Sequence, residues 1–557
     1  MIEKVVTNFK QNKNDWLVAG VLLVLVFSLF YPVLKLGFFS DDYHFLHVTS
    51  EQDGILKYFT TNYIGGKTGG SYAPLLNVLF TVQWKVFGMR AWGYHLVSLL
   101  AYFLTSLTIY FFAKKLSGKI LPSFLSALIF LTIQSHSSAI SWVAAQPHLF
   151  ATLFLLVAIY LYYNFVLDRK WGYYWLALVF VTASLLIKEI GVTFILIFGL
   201  VELFFRVKKN DLKKTLLVSA RNLILPAVLL GIFMLVRRSA IGYTVGFYAE
   251  EKMTFQIIPM LKMFFEMTLN ILFPYPYRQV FAGWLFGHKK VLFFSCSSIL
   301  AFAWLVDSKV RKKVLFLIAG YTALSLPFLK VQYNYLSDGG ERYTYLVSTF
   351  AALFVGLTLY WFLSRTKRHL AVYIALIVIL SGTSFCMLNS KINTWAEADT
   401  VVKKALFSFP RLEVGLEDYV LFVGLPDNLN GIPLFTNAIK EALYLEGKSD
   451  YLDGERVLMG VLPVYGDFDL KLVNFERVDG LNYKITSVVE AGSFTGFPRY
   501  ENEFGEFTLE GFNLPGHVGS SITIELKKDR IDDYTMGGKN VKVVYYNRGE
   551  FQVEEVK

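Results

Sequence analysis

The 557 residues are 55% hydrophobic, 17% aromatic and only 17% charged, which excludes an ordinary soluble domain and marks a polytopic helical membrane protein. The formal net charge of +11 does not point to nucleic acid, because most basic residues fall in short loops between apolar runs, the positive-inside pattern. Cys296 and Cys386 lie in apolar runs and read as packing residues, not as a disulfide.

Spanning helices are expected at 16–36, 92–114, 119–135, 147–166, 172–187, 190–206, 217–237, 289–306, 313–329, 343–363 and 369–388, about eleven by the length that a bilayer demands. The first run, Trp16 to Leu36, lacks a small-residue cleavage site and reads as a retained helix. Basic clusters precede it (Lys4, Lys10, Lys13) and recur at Lys114-Lys115, Arg169-Lys170, Arg206 to Lys214, Lys309 to Lys313 and Arg365 to Arg368. With this set of helices every cluster falls on one face, the cytoplasmic one. The N-terminus is then inside a multi-pass cell-membrane protein, and residues 37–91 and everything after Leu388 are outside. Met253 to Phe273 carries Lys262, Glu266 and Asn270 along one face, so it reads as a helix lying in the interface and not as a further span.

Domains are expected at 1–388, a transmembrane domain with a long first external loop (37–91), and at 389–557, an external soluble domain of α/β to β-rich character. That loop opens with Phe38-Phe39-Ser40-Asp41-Asp42-Tyr43-His44-Phe45. Two adjacent acids at a membrane boundary are costly unless they meet water, a partner or a substrate. Asp41 and Asp42 either solvate a helix end or supply a general base that takes a proton from an attacking hydroxyl. The glycines of 63–70 resemble a phosphate loop, but Thr61 stands where its first Gly is required, so they read as a hinge. Pro74 to Phe87 reads as a short helix on the membrane.

Three further places on the same external side hold polar residues. The loop from Gln134 to His148 carries His136 and His148, which suit a phosphate, a divalent metal or an interface anchor, although two histidines alone are weak evidence for a metal site. Lys188-Glu189 interrupts an apolar stretch; the pair is a helix-end ion pair or a lysine that meets an anionic headgroup. Gly340-Glu341-Arg342-Tyr343-Thr344-Tyr345 opens the tenth helix, and an arginine is the natural fork for a phosphate. Arg237, Arg238, Lys289, Lys290 and Lys330 also fall outside, against the charge rule, so each needs a reason. In the external domain Val420–Val423 and Val541–Tyr546 read as strands and Thr436–Leu445 as a helix.

Together, Ser40-Asp41-Asp42-Tyr43, Gln134 to Phe150, Ser184 to Glu189 and Glu341 to Leu346 resemble the GT-C glycosyltransferases. Within them the chain is similar to the protein O-mannosyltransferases and the transmembrane, tetratricopeptide-repeat mannosyltransferases, over roughly 15–390. The resemblance implies a GT-C-like fold and a polyprenyl-phosphate sugar donor used at the external face, with inversion. It implies Asp41 as the base with Asp42 its neighbour. Arg342, Lys188 and His136 would hold the donor phosphate, Glu189 would orient Lys188, and His148, Tyr343 and Tyr345 would be possible substrate contacts. The implied acceptor is a protein, a cell-wall polymer or a glycolipid. Ser138, Gln146 and His148 stand where relatives often carry Glu, Arg and Asp, and Ala73 stands where many carry Arg. These departures count against a divalent metal, and no other cofactor is called for. No tetratricopeptide repeat follows. Competing readings are a transporter or lipid flippase, or an inactive receptor for a wall component.

Overall fold

The computed structural model describes residues 13–51, 54–63, 65–66, 70–206, 212–244, 257–272, 308–329, 338–364, 366–409, 419–423, 428–429, 431–435, 438–446, 465–466, 473–479, 482–487, 494–495, 499–501, 505–510, 518–519, 521–527, 540–547 and 550–556. Two compact units result, one of Met1–Lys35, Gln52–Tyr335 and Gly340–Ile392, the other of Leu36–Glu51, Leu336–Gly339 and Asn393–Lys557. Each is described by itself.

The first unit is helical: α1 (Lys13–Leu29), then, past the acidic segment's α2 (Asp41–Ser50), α3 (Pro74–Phe87), α4 (Ala91–Ser117), α5 (Ile120–Thr132), α6 (Gln146–Asp168), α7 (Trp171–Ile187), α8 (Phe194–Val201), α9 (Leu212–Ile241), α10 (Ile257–Leu272), α11 (Ser308–Ser325), α12 (Tyr345–Leu363) and the first part of α13 (Lys367–Ser408). α6 lies along α7, α4 packs on α5 and α6, and α12 packs on α5 and α11. Gly356 permits the close approach of α12 and α5: a Cβ there would stand 2.2 Å from Ser126 Oγ and 3.0 Å from Ser126 Cα. On α9, Leu217, Ile224, Ile232 and Leu235 stay uncovered, as do Val378 and Ile379 on α13. Apolar surface of that extent is covered by lipid in a membrane protein.

Among the described residues, five helices are long and apolar enough to cross a membrane: Ala91–Ser117, Val143–Asp168, Lys213–Ile241, Gly340–Leu363 and Lys367–Ser408. A sixth counts if Ile120–Thr132 and Gln134–Ser141, bent by 57°, form one broken span. Among the described residues the eleven expected spans thus do not all appear as single long helices. The run at 190–206 is a 3-10 turn (Glu189–Thr193), α8 and a π turn (Glu202–Arg206). A buried carboxylate explains the π turn. Glu202 pairs with Arg206 and accepts hydrogen bonds from Tyr162 Oη at 3.0 Å, Ser219 Oγ at 2.9 Å and Asn222 Nδ2 at 2.9 Å. A charge inside the bundle is tolerable only with such partners. The span at 289–306, with Cys296, Lys289 and Lys290, lies outside the described residues, as does Lys330. Cys386 is exposed and free, not packed. Residues 257–272 are helical, with Glu266 and Asn270 buried and Lys262 exposed, 3.6 Å from Glu266.

The second unit joins the acidic segment to the C-terminal region. α2 and the end of α13 are followed by β1 (Tyr419–Val423), α14 (Ile439–Leu445), β2 (Val473–Asp479), β3 (Asn482–Ser487), β4 (Arg499–Glu501), β5 (Gly505–Glu510), β6 (Ser521–Leu526), β7 (Val541–Asn547) and β8 (Glu550–Val556). β7 is central in a sheet of order β1-β7-β8, parallel to β1 and antiparallel to β8. An antiparallel sheet has the order β2-β3-β6-β5-β4. Phe551 packs against Phe422, Phe435 and Tyr546 with ring centroids 5.8–6.1 Å apart, and its N–H donates to Ser408 Oγ at 2.8 Å.

Candidate functional site

In the second unit the acidic residues sit on a sharply formed turn. The Gly37 N–H donates to Asp399 Oδ1 at 2.9 Å, and a Cβ at residue 37 would stand only 2.6 Å from that oxygen, so the approach needs glycine. The Ser40 N–H donates to the Leu434 carbonyl at 3.0 Å. Ser40 has φ 42° and ψ −113°, a conformation that side-chain-bearing residues rarely adopt. Such strain persists where the surroundings over-determine it, and it clusters at working sites. Helix α2 starts on the next residue. Asp42 is fully buried and its Oδ2 accepts the Phe39 N–H at 2.9 Å, so this carboxylate closes the turn. Asp41, in the same helical turn, keeps access to solvent.

The basic residues belong to the first unit. Arg342 lies in a 3-10 turn, Asp338–Thr344, and that turn is anchored on both sides of it. Buried Glu341 accepts from Lys391 Nζ at 2.5 Å and from Ser137 Oγ at 3.2 Å, and Thr344 Oγ1 meets Ser135 Oγ at 2.8 Å. The guanidinium carbon of Arg342 is 4.7 Å from the ring centroids of both Trp142 and Tyr343, and its Nη2 donates to Tyr343 Oη at 3.2 Å. The Tyr343 ring meets the His148 ring edge-on at 5.3 Å. The charges of Lys188 and Arg342 reach His148 and each other. Burial holds the Lys188 ammonium below the ordinary lysine range; Tyr343 and Glu189 oppose that shift and Arg342 adds to it. Arg342, Lys188, His148 and Tyr343 are thereby brought together. Two cations with aromatic walls suit a tetrahedral anion. They lack the carboxylates that a divalent cation needs, and no group of three His, Cys, Asp or Glu fit for a metal occurs among the described residues.

Three expected roles meet a different geometry. Glu189 does not serve Lys188 alone, although its charge acts there. Its Oε1 accepts from Tyr72 N–H at 2.9 Å and Arg237 Nε at 3.1 Å, and its Oε2 from Ser71 Oγ at 2.8 Å. Arg237 is 4% exposed, and a guanidinium so buried needs that partner. This gives a reason for one of the cations expected outside against the charge rule. His136 is buried with both ring nitrogens engaged, Nδ1 to Tyr102 Oη at 2.9 Å and Nε2 to Ser348 Oγ at 2.7 Å. Tyr345 is buried too, its ring 4.9 Å from that of His136 and 5.4 Å from that of Phe130. Both belong to an aromatic core beneath the Arg342 turn, not to the basic cluster. Sequence reasoning assigned no role to Trp142. An indole a few residues from two histidines was the available signal, and stacking on an arginine is a property that pattern alone does not reveal.

The family described as dolichyl-phosphate-mannose-protein mannosyltransferase matches residues 71–247. That segment contains His136, His148, Lys188 and Glu189; Asp41, Asp42 and Arg342 lie outside it. The chain is 24% identical to the protein O-mannosyl-transferase Tmtc1 of Drosophila melanogaster over 198 residues, 34% of this chain and 23% of that one. It is 26% identical to TMTC2 of Mus musculus over 153 residues, 26% of this chain and 18% of that one. The matches thus span less than a quarter of the length of these relatives. Among solved structures, ArnT from Cupriavidus metallidurans in the apo state is similar at 11% identity, with a TM-score of 0.45 and coverage of 81% and 93% of the two chains. The oligosaccharyltransferase of Archaeoglobus fulgidus in complex with Zn and sulfate is similar at 12% identity, with a TM-score of 0.43 and coverage of 73% and 60%.

Proposed function

We propose that this chain, similar to GT-C mannosyltransferases, is a membrane glycosyltransferase that moves a sugar from a polyprenyl-phosphate donor to an acceptor hydroxyl at the external face. The observation that supports it most is the match of residues 71–247 to a family of lipid-phosphate mannosyltransferases, with Lys188 inside that segment and Arg342 beside it in the fold. Asp41 accepts the hydroxyl proton as the acceptor oxygen bonds to the anomeric carbon. The bond from that carbon to the phosphate oxygen breaks on the opposite side, which inverts the centre. The electron pair leaves with the polyprenyl phosphate, and Arg342 and Lys188 stabilise the charge that gathers there. His148 and Tyr343 line the same place. The N-terminus is cytoplasmic and the C-terminal region external in this reading, by the distribution of basic residues. The acceptor is a protein hydroxyl, a wall polymer or a glycolipid.

Purified protein incubated with a panel of polyprenyl-phosphate sugars and acceptors will release free polyprenyl phosphate and glycosylate one acceptor class. Movement of the intact donor across a bilayer without release would favour a flippase instead.

The lowered Lys188 pKa sets a pH dependence. Lysine is charged below its pKa and neutral above it, so the donor clamp weakens as pH rises through the lowered value, before an ordinary lysine near pH 10.4 would titrate. Donor kcat/KM is expected to fall on the alkaline side, with kcat dropping as well as KM rising because Lys188 acts on the charge that gathers in the transition state, and Lys188→Arg, which stays charged, is expected to flatten that limb. Steady-state kinetics with the fastest donor of the panel measures both.

A further inference from the structure

The acidic helix makes an extended contact with one short element of the C-terminal region, and that contact has no part in the reaction as described. α2 (Asp41–Ser50) carries His44 just under one helical turn beyond Asp41 and His47 nearly two turns beyond it, and is capped by Glu51. Opposite lies α14 (Ile439–Leu445). His44 Nδ1 is 3.0 Å from Glu441 Oε1, the two side chains 31% and 20% exposed. Tyr444 Oη donates to Glu51 Oε1 at 2.7 Å, and the Tyr444 ring meets the His47 ring edge-on at 5.3 Å. The segment leading into α2 is held by the same region. Leu434 O takes the Ser40 N–H, Asp399 takes the Gly37 N–H, and the Phe39 ring meets Trp395 edge-on at 5.2 Å.

A ten-residue helix that starts on a strained Ser40 does not hold its own direction. The chain leading into it is fixed by Asp399 and Leu434, and the helix itself from His44 to its C-cap by Glu441 and Tyr444. Rotation about the axis by a fraction of a turn would carry the Asp41 carboxylate several ångströms, and misplacement by about 1 Å can cost roughly a hundredfold in rate. Burial works against the Glu441 carboxylate, but the hydrogen bond from His44, its own backbone N–H and the charges of His44 and His47 outweigh it and hold Glu441 below the usual carboxylate range.

We propose that Glu441 and Tyr444 are positioning residues for the transfer reaction: α14 of the C-terminal region grips α2 from His44 to its C-cap Glu51 and so aims Asp41. The inference rests on the reading of Asp41 as the base, and it gives the C-terminal region a catalytic purpose that acceptor binding alone would not.

The test uses the full chain in lipid nanodiscs with the fastest polyprenyl-phosphate donor of the panel. Glu441→Ala is expected to lower kcat by roughly tenfold or more with donor KM unchanged, and to speed hydrogen exchange of the amides of residues 41–50. Glu441→Gln keeps an acceptor oxygen for His44 and is expected to recover most of kcat, which loss of bulk stability would not predict. Tyr444→Phe deletes one hydroxyl and carries the same readings if Glu441→Ala aggregates. Exchange of 41–50 at the wild-type rate in these variants overturns the proposal. So does wild-type kcat in Glu441→Ala while Asp41→Asn is inactive, an outcome that leaves the base intact. Full activity of Asp41→Asn removes the base reading, and this inference with it, because α2 would then aim nothing that reacts.

Discussion

Asp41→Asn will lower transfer by roughly a hundredfold to ten-thousandfold in kcat, the range that a positioned general base contributes, with donor KM and thermal stability at wild-type values. The substitution keeps the shape of the side chain and removes only its capacity to take a proton. Asp41 retains access to solvent while its neighbour is buried, and the isosteric amide keeps an acceptor oxygen in the same place. Release of polyprenyl phosphate and glycosylation of acceptor, followed together with purified components, measure the effect. Full activity would sink the assignment of Asp41.

The adjacent acid is expected to answer differently, and the contrast is part of the same test. Asp42 Oδ2 accepts the Phe39 N–H inside the protein. Asp42→Ala strips that acceptor and costs about 1 kcal/mol, as the loss of a helix-terminal acceptor does. Its activity falls because the turn loosens, not because a proton acceptor is gone. The sequence offers two like acids with no means to separate them. What separates them is the helix start at Ser40, with its positive φ, from which Asp42 turns inward onto the Phe39 N–H and Asp41, the residue before it, stays partly exposed.

The same contrast between local and distant causes runs through the whole chain. Ala91–Ser117 and Trp171–Ile187 lie close to where apolar length puts them, because crossing a bilayer is a local demand on composition. Residues 190–206 form one apolar run by that criterion, yet they fold as a 3-10 turn, α8 and a π turn that opens at Glu202, whose partners Tyr162, Ser219 and Asn222 come from elsewhere in the chain. The polar stretch Gln134–Ser141 reads as a surface loop, yet it is buried because Glu341, Thr344 and Ser348 receive its side chains. The continuation of α13 to Ser408 was legible. Ile392, Trp395, Ala398, Val402 and Ala405 are buried at helical spacing, but a search for spans stops where hydropathy falls. Lys188, Arg342 and His148 share a place in the fold although 40 and 154 residues separate them in sequence. Only the expectation that they share one side of the membrane was readable beforehand. The contact of His44 with Glu441, 397 residues apart, had no signal at all.

Arg342→Ala is expected to reduce kcat/KM for the lipid donor by roughly a hundredfold to a thousandfold, the loss seen when one preorganised donor to a developing anion is removed. The departing phosphate gains charge in the transition state, so the loss should appear in kcat as well as in KM. Arg342→Lys restores charge but not the planar fork, and it loses the stacking on Trp142 and Tyr343 at 4.7 Å. It should therefore recover only part of the rate. The turn itself survives the substitution, because Glu341 and Thr344 anchor it on either side, and stability should hold. Donors of falling leaving-group demand give the decisive comparison. If Arg342 acts on the leaving phosphate, the defect shrinks as the leaving group becomes a weaker base, as with a polyprenyl pyrophosphate-linked sugar. A defect of constant size across such donors would place Arg342 in ground-state binding of the lipid headgroup and leave charge stabilisation in the transition state to Lys188.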